Sequence, residues 1–183
     1  MDEDLLNILK QSGMTTLAVP AEYGGPGLDL FTVALVTEEI AKGCAGVVCA
    51  ANSLASFPVV VAGSEEQKKK YLPKLCSGEW IGAFALTEPN AGTDASGQQT
   101  VAVDAGDHWV LNGSKIFITN AGAANVFFVL AMTDKSQGTK GISAFIVEKG
   151  YKGFSIGKHE DKLGIRASST CELIFEDCIV PKE

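Results

Sequence analysis

The sequence predicts an α+β chain with helices first and strands second: an all-α N-terminal domain over residues 1–82, then an antiparallel β-barrel or sandwich domain over residues 83–183. Three observations predict it. Up to Trp80 apolar residues recur at helical spacing between strong capping signals. Beyond Trp80 the runs shorten, turn β-rich and are separated by Gly, Asn, Asp and Lys clusters. The composition, 46% hydrophobic and 20% charged with a mean hydropathy of +0.16, supplies enough apolar surface for a buried core.

In the first half, PAEYGGPGL (residues 20–28) is a loop, after which Asp29 caps a helix LFTVALVTEEIAK that stops at Gly43. Phe31, Val33, Leu35, Val36 and Ile40 cover most of its circumference, so this helix is expected deep among other helices. The Ala-rich stretch CAGVVCAANSLASFPVVVAG predicts a second buried helix before Gly63. Ser64 and Gln67 stand at capping-box spacing, and Glu65 and Glu66 complement the dipole of the helix they open. Pro73 is expected to end that helix and begin a short successor, PKLCSG, closing at Gly78.

In the second half, WVL, KIFIT, NVFFVLAMT, GISAFIVEK, FSIGK and CELIFEDCIV are the strand candidates. Between the first two lies Asn112-Gly113, a dipeptide suited to a two-residue type I′ hairpin turn.

Charge excludes several functions. Fifteen Lys+Arg against 22 Asp+Glu leave a net −7, and Arg166 is the single arginine, so no basic stripe can neutralise nucleic-acid phosphates or an anionic membrane. No apolar run approaches the roughly 20 residues of a membrane span, and the acidic start MDEDLL does not resemble a signal peptide. The five cysteines form no CxxC pair, so no metal site is expected and reduced thiols in a cytosol-like compartment are the default. His108 and His159 are expected as solvated surface residues, and no phosphate-loop, dinucleotide, zinc-protease or serine-hydrolase motif occurs.

Two segments concentrate chemistry. ALTEPNAGTDASGQQT (residues 85–100) gathers Thr, Asn, Gly and Ser around one Pro, offering backbone N–H groups and the hydroxyls of Thr87 and Thr93 to a flat or anionic ligand. KIFITN (residues 115–120) spaces Phe117 and Thr119 two apart on one strand, and so on one face. The residues alone leave two readings open for each: a crossover loop and ordinary barrel filling, or a seat for a heteroaromatic ring.

In order along the chain, VPAEYGGPGLD, EEIAKGCAGV, GSEEQKKKYLPKLCSG, GAFALTEPNAGTDASGQQT, LNGSKIFITNAG and KHEDKLGIRASSTCELIFEDCIVPKE resemble the acyl-CoA dehydrogenase family, most closely its short-chain, butyryl-CoA type. The resemblance spans almost all of the chain. It implies a helical N-terminal domain, a middle β-barrel and a C-terminal four-helix bundle around FAD. Within that plan Phe84, Ala85, Leu86 and Thr87 line the flavin, with Thr87 hydrogen-bonding it. Phe117, Ile118 and Thr119 match the family's Trp-Ile-Thr, whose Thr hydroxyl meets the isoalloxazine near N5. Phe117 departs from that pattern, keeping the apolar face of the ring and losing the indole N–H. Thr93 stands where the family places a Ser against the pantetheine arm, and Glu88 and Asp94 are read as turn residues.

The resemblance further implies a reaction in which a Glu removes the α-proton of a short-chain acyl-CoA while the β-hydrogen leaves as hydride to flavin N5, giving trans-2-enoyl-CoA. Electrons then pass to an electron-transferring flavoprotein, and the family forms homotetramers. The base belongs to the C-terminal bundle, which is expected to be absent here, so the isolated chain is expected to be inactive. Two further readings follow: a catalytically silent FAD-binding or interaction module, and an oxygen-using flavoenzyme of the same fold. The expected compartment is bacterial cytoplasm, or the mitochondrial matrix in a eukaryote.

Overall fold

A computed structural model describes residues 3–182, which divide into two compact units. The helical unit is Met1–Gly82 with Asp161–Ser169, and the sheet unit is Ala83–Glu160 with Thr170–Glu183. The segment Asp161–Ser169, placed in the barrel by the sequence, thus clusters with the helices. Gly46 explains the close approach: a Cβ there would lie 2.8 Å from the Cβ of Ala167.

The helical unit contains α1 (Glu3–Ser12), α2 (Leu30–Ala50), α3 (Ser53–Ala62) and α4 (Glu65–Cys76). Asp29 caps α2, its carboxylate accepting from the N–H groups of Phe31 and Thr32 at 3.0 and 3.1 Å. The predicted stop at Gly43 takes the form of a break at Cys44 (φ −161, ψ 107), after which helical structure resumes to Ala50. The apolar wrap of α2 is not buried: Leu30 is 81% and Phe31 74% exposed. Periodicity reports how much of a helix is apolar, and only neighbouring elements decide whether it is covered.

Ser64 and Gln67 form the expected capping box, at 3.2 and 3.0 Å. The break expected at Pro73 does not occur, because α4 runs through it. Tyr71, Leu72, Leu75 and Cys76 are buried on both sides of the proline, so packing holds the helix across one missing hydrogen bond. No single helix among the described residues is long and apolar enough to cross a membrane; α2 and α3 reach that measure only as a pair bent by 74°.

The sheet unit is one seven-stranded sheet: β1 (Gly82–Ala85), β2 (Val101–Asp104), β3 (His108–Thr119), β4 (Val126–Met132), β5 (Ile142–Glu148), β6 (Phe154–His159) and β7 (Thr170–Pro181). The order is β1-β4-β2-β3-β7-β6, with β5 on β4. It is a mixed half-barrel and not purely antiparallel, since β2 meets β4 in parallel at Val101 and Met132. Leu111, Phe127, Val129, Val147, Leu173 and Phe175 fill its core.

The hairpin predicted at Asn112-Gly113 is absent: β3 passes straight through both residues. Gly113 is needed for a different reason, because a Cβ there would lie 2.7 Å from the Cα of Thr100 on the neighbouring chain segment. Asn112 pins a bulge in β7, donating to the Asp177 carboxylate at 3.1 Å and accepting from the Asp177 N–H at 2.8 Å. The turn into β3 lies instead at Ala105–Asp107, where Ala105 N–H donates to His108 C=O at 3.0 Å and Gly106 has φ +97.

Candidate functional site

All eight site residues named from the sequence lie in the sheet unit. β1 carries Phe84 and Ala85, and the chain leaves the sheet at Leu86. Glu88 and Ala91 then exchange backbone hydrogen bonds of 3.0 and 3.1 Å, closing EPNA into a tight turn. Asp94 opens a short 3-10 turn, its carboxylate accepting from the Ser96 N–H at 3.1 Å. Phe84, Leu86 and Thr87 are half-buried and Thr93 is exposed. Open space surrounds Gly92, where a Cβ would meet nothing within 4 Å.

The second segment lies beside the first. Ile116 N–H on β3 donates to Thr87 C=O at 2.9 Å. From Lys115 to Ile118, β3 uses one more residue than β7 does between Leu173 and Cys171, so the strand is bulged. Phe117 sits inside that bulge with φ +57 and is 59% exposed. A left-handed aromatic residue costs roughly 1–3 kcal/mol and persists where its surroundings impose it. The bulge breaks the simple alternation between Lys115 and Ile118, the buried positions being three apart, with exposed Phe117 and half-buried Thr119 on either side of Ile118. Ala85 and Ile118 belong to the core, which leaves their backbone for any ligand. Among the described residues, the hydroxyls of Thr87 and Thr119 have no hydrogen-bond partner. A cavity of about 430 Å³ in this unit, with Glu88, Asn90, Thr100, Ser114 and Glu176 in its wall, is lined by none of the eight.

Sequence reasoning missed the group that ties the two segments together. Lys115 has no exposed surface, and its ammonium donates to Leu86 C=O at 3.0 Å, Glu88 Oε1 at 2.7 Å and Gln98 Oε1 at 2.9 Å. Three donors meet three acceptors, which satisfies the cation. Glu88, expected as a turn residue, closes the turn and is also buried, and its carboxylate accepts from the backbone N–H groups of Gln99 and Thr100. Burial pushes the Glu88 carboxyl up, but the hydrogen bonds from Lys115, Thr100 and Gln99 outweigh it and hold the pKa below the ordinary value. Burial also pulls the Lys115 pKa down, against the opposing pull of Glu88. The Gln98 side-chain nitrogen is buried without a partner among the described residues. A lysine inside the apolar run KIFIT was the available signal, since a cation in the core must bring its own acceptors.

The residues around this loop suit a flavin: unpaired hydroxyls, an exposed aromatic face and uncrowded backbone. Comparisons with known proteins agree in extent and kind. The family models "Acyl-CoA dehydrogenase, N-terminal domain" and "Acyl-CoA dehydrogenase, middle domain" match residues 1–79 and 83–178. A short-chain-specific acyl-CoA dehydrogenase of Clostridium acetobutylicum is 60% identical over 94% of this chain and 46% of its own length. The human mitochondrial short-chain-specific enzyme is 49% identical over 93% and 42%. Among solved structures, butyryl-CoA dehydrogenase from Megasphaera elsdenii superposes with a TM-score of 0.92 at 50% identity, covering 98% of this chain and 49% of that one. An acyl-CoA dehydrogenase of Bacillus anthracis complexed with FAD superposes at 0.87 with 45% identity, covering 98% and 31%. The chain spans about half the length of the curated relatives it matches. With both of its units matched in order by the family's first two domains, the chain belongs to the acyl-CoA dehydrogenase family.

Proposed function

We propose that this chain forms the N-terminal and middle part of an FAD-dependent, short-chain acyl-CoA dehydrogenase that converts acyl-CoA thioesters to trans-2-enoyl-CoA. One observation carries the reading: Thr87 and Thr119 offer hydroxyls without partners among the described residues, and the left-handed, exposed Phe117 stands on the same bulged strand as Thr119. FAD, when bound, supplies the hydride acceptor. The chain's own residues bind and orient it. Thr87 and Thr119 hydrogen-bond its polar edge, Phe117 contributes packing without an N–H donor, Phe84 and Leu86 shape the apolar wall, and Ala85 and Ile118 offer backbone groups. Exposed Thr93 meets the pantetheine arm of the thioester.

The base comes from outside this chain. Glu88, the carboxylate next to Thr87 in sequence, is already committed to Lys115 and two backbone N–H groups, and its depressed pKa makes it a poor proton acceptor. Short-chain acyl-CoA as substrate, an electron-transferring flavoprotein as acceptor and a homotetramer complete the proposal. The compartment is bacterial cytoplasm or, in a eukaryote, the mitochondrial matrix.

Mixing the purified chain with FAD and butyryl-CoA tests the assignment through the flavin's visible absorbance. The expected result is weak FAD retention and no bleaching. Turnover by the chain alone would place the base within these 183 residues and overturn the assignment.

A further inference from the structure

We infer that Lys115 is the positioning residue of the flavin seat, one ammonium group that ties both ends of the ligand-facing loop to the strand carrying Phe117 and Thr119. The inference deepens the flavin reading and rests on it. At the near end, Lys115 Nζ holds the Leu86 carbonyl at 3.0 Å and the Glu88 carboxylate at 2.7 Å, the residues on either side of Thr87. The Thr87 carbonyl is itself held by Ile116 N–H at 2.9 Å. With those groups fixed, the Thr87 hydroxyl is left for a ligand.

At the far end, Gln98 follows the 3-10 turn Ala95–Gly97 and accepts from the same Nζ at 2.9 Å. The loop of residues 86–98, which includes Thr93, therefore starts and finishes on one cation. On β3, Lys115 pairs with Leu173 in the last ladder position before the bulge, so its placement also sets where the bulge that holds Phe117 begins.

Two apolar side chains of similar volume can fill a buried ion pair's space without loss of stability. They cannot specify direction, whereas three charge-assisted hydrogen bonds to three separate acceptors define where each acceptor must sit. The cation is thus better explained by the geometry of the loop than by the stability of the core.

The test compares three full-length chains, wild type, Lys115→Met/Glu88→Leu and Glu88→Gln, titrated with FAD and followed by flavin fluorescence, by the shape of the visible absorption band and by thermal melting. The double variant is expected to melt below wild type, since the Leu86 carbonyl and the N–H groups of Gln99 and Thr100 lose their partners, and to lose FAD affinity about tenfold together with the wild-type band shape. Glu88→Gln, which keeps an amide oxygen facing Lys115, is expected to lose about threefold and to retain most of the band shape. A double variant that folds and binds FAD with wild-type affinity and band shape overturns the positioning role and leaves the flavin seat standing. If the double variant does not fold, Glu88→Gln decides: an affinity reduced about threefold supports the role, and an affinity equal to wild type overturns it. A wild-type chain that leaves the flavin spectrum unaltered overturns the seat, and the role of Lys115 with it.

Discussion

In the helical unit the fully buried polar hub is neutral, whereas in the sheet unit it is charged. Asn52 has no exposed surface; its amide nitrogen donates to the carbonyls of Leu75 and Trp80, both at 2.8 Å, and its oxygen accepts from Gly82 N–H at 2.8 Å. Lys115 does the corresponding work among the strands, but needs Glu88 to balance its charge. A neutral amide satisfies buried backbone groups with little dependence on pH. A buried ion pair is directional and costly to leave half-made, which suits a place where a loop must hold one geometry. The units also differ in how completely they cover themselves: the sheet core is closed over Leu111, Phe127 and Leu173, while Leu30, Phe31, Leu54, Phe57 and Val61 of the helices remain exposed.

The two tryptophans, Trp80 in the helical unit and Trp109 in the sheet unit, let each half of this contrast be read separately. The largest effect is expected from Lys115→Met alone, which strands the Glu88 carboxylate in the core and should cost about 3–5 kcal/mol. Urea unfolding followed at Trp109 measures it in a Trp80→Phe background; an unchanged midpoint would remove the charged hub from the comparison. Next is Asn52→Ala, which orphans two carbonyls and one N–H and should cost about 2–3 kcal/mol, read at Trp80 in a Trp109→Phe background.

Acid separates the hubs further. The folded pKa of Glu88 lies below its unfolded value, so its contribution is complete above the ordinary carboxylate value of about 4.3 and is lost as pH falls through the lowered one. Glu88→Gln should therefore flatten the dependence of sheet-unit stability on pH below that value. An acid titration of the Trp109 signal as steep as wild type would assign the transition to other carboxylates. The smallest effect is expected at the uncovered helix face: Phe57→Ser, at a side chain 64% exposed, should change stability by no more than about 0.5 kcal/mol. A larger loss would mean that this face is buried in solution.

Site legibility followed the range of the interactions. Thr87, Phe117 and Thr119 were proposed through ordered motifs, and the caps at Asp29 and Ser64 were read through their neighbours three residues away. The turn at Glu88 was legible, but its ion pair was not, because the partner stands 27 residues on, at Lys115, and no local pattern joins them. Asn112-Gly113 carried a sound turn signal that the sheet put to another use, one side chain pinning a bulge and one missing side chain admitting Thr100.

The order of helices and strands and the helix starts were thus already written in the chain, because capping and periodicity act over a few residues. The path of α4 through Pro73, the bulge that turns Phe117 outward, the parallel contact of β2 with β4 and the Lys115 knot emerged only when distant segments met. Each is settled by packing or charge compensation between groups far apart in sequence, and local propensity carries no information about which partner will be there.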